Sequence, residues 1–140
     1  MIARGLRNNN PGNIRKGSDW NGLARYSQMS EIQRNEKSFA VFSCATYGIR
    51  ALVRLLTVYQ TRYQLTTLDA IISRYAPDVE NDTNAYAAHV SQKTGYAVDE
   101  PIDLTKPETM KAVVMAIIEH ENGNNHYTYE IDDGIALGLK

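Results

Sequence analysis

Seven consecutive apolar residues, "AVVMAII" at positions 112–118, constrain the fold of this chain more than any other feature. They lie within "TKPETMKAVVMAIIEHENG", where Thr105 and Glu108 match a capping box. Pro107 suits the first turn of a helix, and Gly123 suits its end. Because a helix that is apolar nearly all round must be enclosed by other elements, the sequence predicts a mainly α domain arranged around this central helix.

Four further segments carry helical patterns. In "YGIRALVRLLTVYQTRY", residues 47–63, apolar positions recur at the spacing of one helix face, and the arginines fall mostly off that face. The segment "TTLDAIISRYAP", residues 66–77, offers Thr66 or Thr67 as an N-cap, with Pro77 beyond its end. We also predict helices at residues 82–94, ahead of Gly95, and at residues 129–139.

The first 45 residues follow a different pattern. The turn signals "PG", "GS" and "NG", at positions 11, 17 and 21, separate short pieces such as "NIRKG" and "SFAVFS". They predict a small, irregular β-hairpin lobe at residues 1–45, followed by a helical lobe at residues 46–140. A chain of this length removes about two-thirds of its unfolded surface from water on folding, so we expect one domain, 1–140, of the mainly α (α+β) class.

Charge is divided unevenly along the chain. Residues 1–65 hold 10 Lys and Arg against 3 Asp and Glu, whereas residues 66–140 hold 5 against 13. The two halves therefore carry +7 and −8 within a net charge of −1. Oppositely charged halves attract each other on packing, and a nucleic-acid partner usually requires a basic domain overall. We expect no nucleic-acid partner, although the basic half favours an anionic polymer.

Several classes of protein and site are disfavoured by what the sequence lacks. Cys44 is the single cysteine, so no disulfide forms within the chain, and we expect it to be a small core residue. Without a Cys/His cluster or a phosphate loop, we expect no metal and no cofactor. The chain has no signal peptide and no apolar run that approaches the roughly 18 residues of a membrane span. We expect a soluble protein made in the cytoplasm, with no membrane insertion.

Glu119 and Glu121, at the end of the central helix, are the best candidates for chemistry. Partial burial and the negative end of a helix both favour the protonated form of a carboxyl group, which a general acid needs. If Ile117 and Ile118 face inward, Glu121 shares their face. Glu119 then points sideways or outward. Helix geometry alone favours the alternative that both side chains are merely solvated at the helix end.

The segment "RGLRNNNPGNIR" near the N-terminus is dense in amides ahead of any core residue. Four asparagines are candidates for binding: Asn8, Asn9, Asn10 and Asn13. Amide side chains both donate and accept hydrogen bonds, as the acetamido and hydroxyl groups of N-acetylated sugars require. The alternative is a turn at residues 10–13 whose amides bond to the local backbone.

Five segments, taken in order, resemble one group of proteins. They are "RGLRNNNPGNIR", Trp20-x-Gly22, "SFAVFSCATYGIRAL", "YAPDVENDTNAYAAHV" and "AIIEHENG". The group consists of bacteriophage virion and prophage proteins with a lysozyme-like domain of the lytic-transglycosylase type. The resemblance spans nearly the whole chain.

The chain is also similar to the bacterial glucosaminidases of the lysozyme superfamily, with one change of order. The segments "NNPGNI" and "FAVF", the helix after Tyr47, and the pair Thr83-x-x-Tyr86 follow that family's order. Its glutamate-bearing helix is missing from the front, and "AVVMAIIEHENG" near the C-terminus would supply it. The resemblance therefore implies a circularly permuted lysozyme-like fold, in which Glu121 and the turn at residues 9–13 line one cleft.

The resemblance implies a peptidoglycan-cleaving enzyme that acts on the β-1,4 bond between N-acetyl sugars. A single glutamate would be the general acid, and water or the sugar's own 6-hydroxyl would capture the cleaved sugar. Simple spacing selects Glu119, whereas helix facing and the "ENG" motif select Glu121. Tyr86 would contact the substrate or stabilise the intermediate, and the four asparagines would line the cleft. The alternative for Tyr86 is packing against its neighbouring helix.

Two other interpretations belong to different classes. One is a non-catalytic glycan-binding or structural module of a virion or secretion apparatus, and the other is an interaction protein that docks through its acidic half. The implied partners are peptidoglycan strands and other virion or secretion-apparatus proteins. Without a signal peptide, action in the periplasm or at the cell wall would require delivery by a virion or other machinery.

Overall fold

A computed structural model describes residues 2–79 and 81–140 as a group of packed helices that follows a segment of turns. The helices of this part of the chain are α1 Arg4–Arg7, α2 Glu31–Arg34, α3 Ala45–Thr61, α4 Leu68–Tyr75, α5 Thr83–Thr94, α6 Pro107–Asn122 and α7 Tyr129–Gly138. The mainly α class is confirmed.

Helix α6 is the central helix, as its apolar run predicts. It packs against α5, α7, α3 and α1. Val113, Val114, Ile117 and Ile118 are fully buried, whereas Met115 on the remaining face is 37% exposed. These four helices therefore fix the position of α6 and of its last turn.

The predicted capping is present at the start of α4 and at the ends of α5, at Gly95 with φ +81°, and of α6, but not at the start of α6. The Thr67 side chain accepts a hydrogen bond from the Ala70 N–H at the start of α4. Gly123, with φ +76°, ends α6 in the left-handed conformation. The predicted capping box is wrong, because Lys106 is the N-cap of α6 and the Thr105 hydroxyl donates to Asp103 instead.

The N-terminal segment is less regular than the predicted β-hairpin lobe. Its described residues pair only as two isolated antiparallel bridges, Arg15 with Phe39 and Leu23 with Phe42. Side-chain amides replace much of the ladder: Asn10 donates to the main-chain oxygens of Ile14 and Ala40, and it accepts from the Ile14 N–H. Backbone groups satisfied in this way need no second strand.

The expectation that Cys44 is a small core residue is wrong, because Cys44 is exposed. It lies in extended conformation at the N-cap of α3, where the chain turns into the helix. Across residues 2–79 and 81–140, no helix has both the length and the apolar character needed to cross a bilayer.

Candidate functional site

The Glu121 carboxylate lies in the last turn of α6, where both of its oxygens accept a hydrogen bond. Tyr86 Oη on α5 donates to Oε2 at 2.7 Å, and Asn13 Nδ2 donates to Oε1 at 2.8 Å. Glu121 is partly buried and lines a cavity of about 550 Å³. The structure thus brings together three predicted site residues from distant parts of the chain.

Tyr86 is a buried hydrogen-bond donor, and its side chain also packs in the core. Only 1% of its surface is exposed. Burial, followed by Tyr75 and Glu121, raises the pKa of Tyr86, so the phenol keeps its proton at neutral pH. Its hydroxyl therefore donates to the Glu121 carboxylate and adds no second negative charge. The packing interpretation describes this side chain, whereas contact with a substrate or an intermediate stays a prediction.

Tyr75 ties the asparagine-rich turn to the helices. Its hydroxyl donates to the main-chain oxygen of Gly12, and burial, with Glu121 close by, raises its pKa. A Cβ at position 12 would lie 2.6 Å from this hydroxyl, so the close approach requires glycine. The turn is consequently held against α4 at the position that aims Asn13 at Glu121.

Asn13 can adapt to either protonation state of Glu121. It lies at φ +51°, a left-handed conformation that asparagine tolerates better than most residues. Its Nδ2 donates to Glu121, whereas its Oδ1 is buried without a hydrogen-bond partner in the described part of the chain. Turned over, the same amide would present Oδ1 as the acceptor for a protonated Glu121.

The other three candidate asparagines hold the turn together. Asn8 donates to the Glu36 carboxylate, and Asn9 donates to the main-chain oxygen of Phe42. Asn10, fully buried, bonds to the backbone as described above. Bonding to the local backbone thus describes Asn10, whereas Asn8 and Asn9 bond to groups 28 and 33 positions away. Asn13 is the member of the set that contacts Glu121.

Glu119 points away from the cavity. It pairs with Lys93 Nζ on α5 at 2.9 Å, and the hydrogen bond from this ammonium lowers the pKa of Glu119. Both partners are partly exposed to solvent. The predicted outward orientation of Glu119 and inward orientation of Glu121 match the placement of the two side chains.

Two histidines, His89 and His120, lie next to Tyr86 and were not singled out from the sequence. The His120 ring stacks on the Tyr86 ring, with 3.7 Å between centroids, and its Nδ1 lies 2.8 Å from Nδ1 of His89. Partial burial and His89 lower the pKa of His120, although Glu121 opposes them. The available signal was spacing, since His89 follows Tyr86 by three residues on one helix face and His120 precedes Glu121.

The chemistry open to this cavity is that of one carboxyl group. Among the residues of the cavity lining that the structure describes, Glu121 is the one carboxylate. The described residues contain no group of three His, Cys, Asp or Glu side chains arranged to hold a metal ion. Asp82 is not among these lining residues; its side chain accepts a hydrogen bond from the Ala85 N–H and caps the start of α5. The arrangement suits proton donation and acceptance by a single group.

Comparison with known proteins identifies a relative in a bacterial virus. No family model matches the chain. Protein P5 of Pseudoalteromonas phage PM2 is 43% identical to it over 138 residues, which cover 98% of this chain and 82% of the phage protein. Identity at this level over nearly the full length means that the chain belongs to the family of phage Protein P5.

Proposed function

We propose that this protein is a phage enzyme that cleaves the β-1,4 glycosidic bond between the N-acetyl sugars of peptidoglycan. One observation carries the proposal: a partly buried glutamate at the end of the central helix faces an open cavity and is held by two hydrogen-bond donors. A positioned carboxyl group in a cleft is the minimum that glycosidic cleavage requires.

The proposed fold is lysozyme-like and circularly permuted, with the glutamate-bearing helix moved to the C-terminal part of the chain. The contacts between the end of α6 and the asparagine-rich turn support this proposal. Besides the Asn13 contact, Asn122 Nδ2 donates to the main-chain oxygen of Pro11 at 2.8 Å. The order of the segments differs from the glucosaminidases, but the permuted order brings the same kinds of residue to one cleft.

In the proposed mechanism, protonated Glu121 donates its proton to the glycosidic oxygen as the bond from that oxygen to the anomeric carbon breaks. The resulting carboxylate then removes a proton from the attacking group, so Glu121 ends the cycle protonated. Asn13 would donate to the carboxylate that forms when this proton has left. With one carboxylate in the described lining, attack by the sugar's own 6-hydroxyl is favoured over attack by water.

Glu121→Gln tests the proposal, with Glu119→Gln as the matched control on the same helix turn. We expect the first variant to lose about 10²- to 10⁴-fold in the rate of release of soluble fragments from purified peptidoglycan. The control should keep its activity, because Glu119 faces Lys93. Mass spectrometry of the fragments separates an anhydro end, left by the 6-hydroxyl, from a reducing end, left by water.

Other outcomes would replace the proposal. An inactive Glu119→Gln beside an active Glu121→Gln would transfer the acid role to Glu119. Saturable binding to peptidoglycan without any released fragment would identify a glycan-binding or structural module of the virion. For action at the cell wall, the proposed vehicle is the phage particle.

A further inference from the structure

We infer that Arg4, Arg15 and Lys16 form a cationic wall of the Glu121 cavity and that this wall binds carboxylate groups carried by the glycan. The inference rests on the proposed function for the identity of the polymer. It narrows the substrate to acidic, carboxylate-bearing N-acetyl glycans and disfavours neutral ones such as chitin. All three cations line the same cavity as Glu121.

The two arginines of the cationic wall are held in place by one aromatic ring. The Cζ atoms of Arg4 and Arg15 lie 4.9 Å and 4.8 Å from the centroid of the Phe39 ring. Stacking restricts both planar guanidinium groups, and the Arg4 side chain stays 55% exposed. Because less side-chain entropy is then lost on binding, such a surface suits the planar carboxylate group.

The positive charge of this wall is only partly offset by the acidic residue behind it. The Glu36 carboxylate bonds to Arg7 at 3.0 Å, and Arg4 Nε lies 3.9 Å from the same oxygen. Lys16 instead donates to the main-chain oxygen of Glu36, a neutral acceptor. Arg4 stays 55% exposed. The ammonium of Lys16 and the guanidinium of Arg4 therefore keep capacity for an incoming anion.

The position of the wall relative to Glu121 determines what it would recognise. A glycan whose scissile bond lies at Glu121 fills the rest of the same cavity with neighbouring sugars and their substituents. In peptidoglycan, the lactyl ether on one sugar is joined by an amide bond to a peptide, and that peptide carries the carboxylates. Where the peptide is absent, the lactyl group itself ends in a free carboxylate. Both offer the same chemistry to the wall, and substrates with and without the peptide distinguish them.

The double variant Arg4→Gln/Lys16→Gln tests the wall, with Lys37→Gln as the control. Lys37 is exposed in the same segment and lies outside the cavity lining. Binding is measured in the Glu121→Gln background, so that ligands persist, on three soluble ligands of equal length. These are peptidoglycan strands with peptides, strands stripped of peptides by an amidase, and oligomers of N-acetylglucosamine.

We expect the double variant to bind at least one acidic ligand about 10- to 100-fold more weakly, with unchanged affinity for the neutral oligomer. The affinity of the parent protein for the acidic ligand should also fall as salt rises. Weaker binding of the double variant to stripped strands would assign the cationic wall to the lactyl carboxylate. Weaker binding to peptide-bearing strands alone would assign it to the peptide. Lys37→Gln should bind as the parent does.

Three results would overturn the inference. They are equal affinity of the parent for neutral and acidic ligands, no effect of the double variant in a protein with an unchanged melting temperature, and competition by short polyphosphate that equals the acidic glycan. The first two can occur while Glu121→Gln still abolishes cleavage, which leaves the proposed function standing. Conversely, if the wild-type protein binds in a charge-dependent way but cleaves nothing, the cationic wall stands as a binding surface and the proposed enzymatic function is refuted.

Discussion

Residues 2–44 and residues 45–140 reach a fixed shape by different forces. In the first region, the turns are held by directional hydrogen bonds from Asn8, Asn9 and Asn10 and by the Glu36 carboxylate. In the second, apolar side chains of the five helices α3 to α7 pack into one core. The proposed site depends on both regions, since Asn13 comes from the first and Glu121 from the second.

The two regions meet at a closely packed seam. A Cβ on Gly48 of α3 would collide with the main-chain oxygen of Asn9, so glycine permits the turn to lie directly on the helix. On the other side, Asn122 at the end of α6 donates to Pro11. Directional hydrogen bonds and helix packing thus both fix the position of the turn at residues 9–13.

Ile117→Ala should produce the largest change in stability, because it removes buried volume from the centre of the helical region. Ile117 is fully buried, and we expect a loss of about 4 kcal/mol in the free energy of unfolding. Urea denaturation measures it. Met115→Ala, on the exposed face of the same helix, should change stability by less than about 0.5 kcal/mol. Similar losses in both variants would refute the central position of α6.

Asn10→Ala and Asn13→Gly should separate structure from function within one turn. Asn10→Ala leaves the Ile14 N–H and the Ala40 main-chain oxygen without their Asn10 partner, and we expect a loss of about 3 kcal/mol in stability. Asn13→Gly suits the positive φ at this position, so its melting temperature should change little. Its kcat/KM on peptidoglycan should fall about 10- to 100-fold, because Glu121 loses a donor.

One result would contradict the proposed role of Asn13. If Asn13→Gly lowers only stability and leaves the activity per folded molecule unchanged, Asn13 shapes the loop and takes no part in the chemistry. Circular dichroism melting and fragment release on the same preparations give the two quantities.

Glu36→Gln should produce a smaller loss than Ile117→Ala and Asn10→Ala, about 2 kcal/mol at pH 7, confined to the turn region. Burial alone would raise the pKa of Glu36, but hydrogen bonds from Asn8, Ser38 and Phe39, together with Arg4, outweigh it and lower the pKa to about 2. The ionised group binds fewer protons in the folded state, so its contribution is present above pH 4.5 and is lost as the pH falls towards 2.

Hydrogen exchange and acid titration check this prediction. Amides of residues 8–14 and 38–42 should exchange faster in Glu36→Gln, whereas those of α6 should be unaffected. Between pH 4.5 and 2, wild-type stability should decline more steeply than that of the variant. Parallel curves would show that Glu36 makes no net ionic contribution.

Periodicity predicted the helical region well because burial there depends on local spacing. The 3.6-residue repeat that buries Ile117 and Ile118 also turns Glu121 inward and Glu119 towards Lys93. The Thr67 cap and the Gly123 end depend on neighbours within a few residues, and both were predictable for that reason.

The N-terminal region was harder to predict because its contacts depend on residues far apart in the sequence. Nothing local to Glu36 indicates that it will meet Asn8, 28 positions earlier. The same limit explains why four asparagines were candidates and one contacts Glu121. The stacked His120 was missed because its partner Tyr86 lies on a different helix.

The contact between Asn13 and Glu121 spans 108 positions of the chain. Closing so long a loop costs conformational entropy, which is repaid only when the intervening helices have packed. The site therefore assembles late in folding, and a nascent chain on the ribosome that has not reached residue 121 cannot contain it. On the proposed function, such an unfinished polypeptide would be inert towards the wall of the cell that makes it, and activity would begin only after the segment that carries Glu121 has packed.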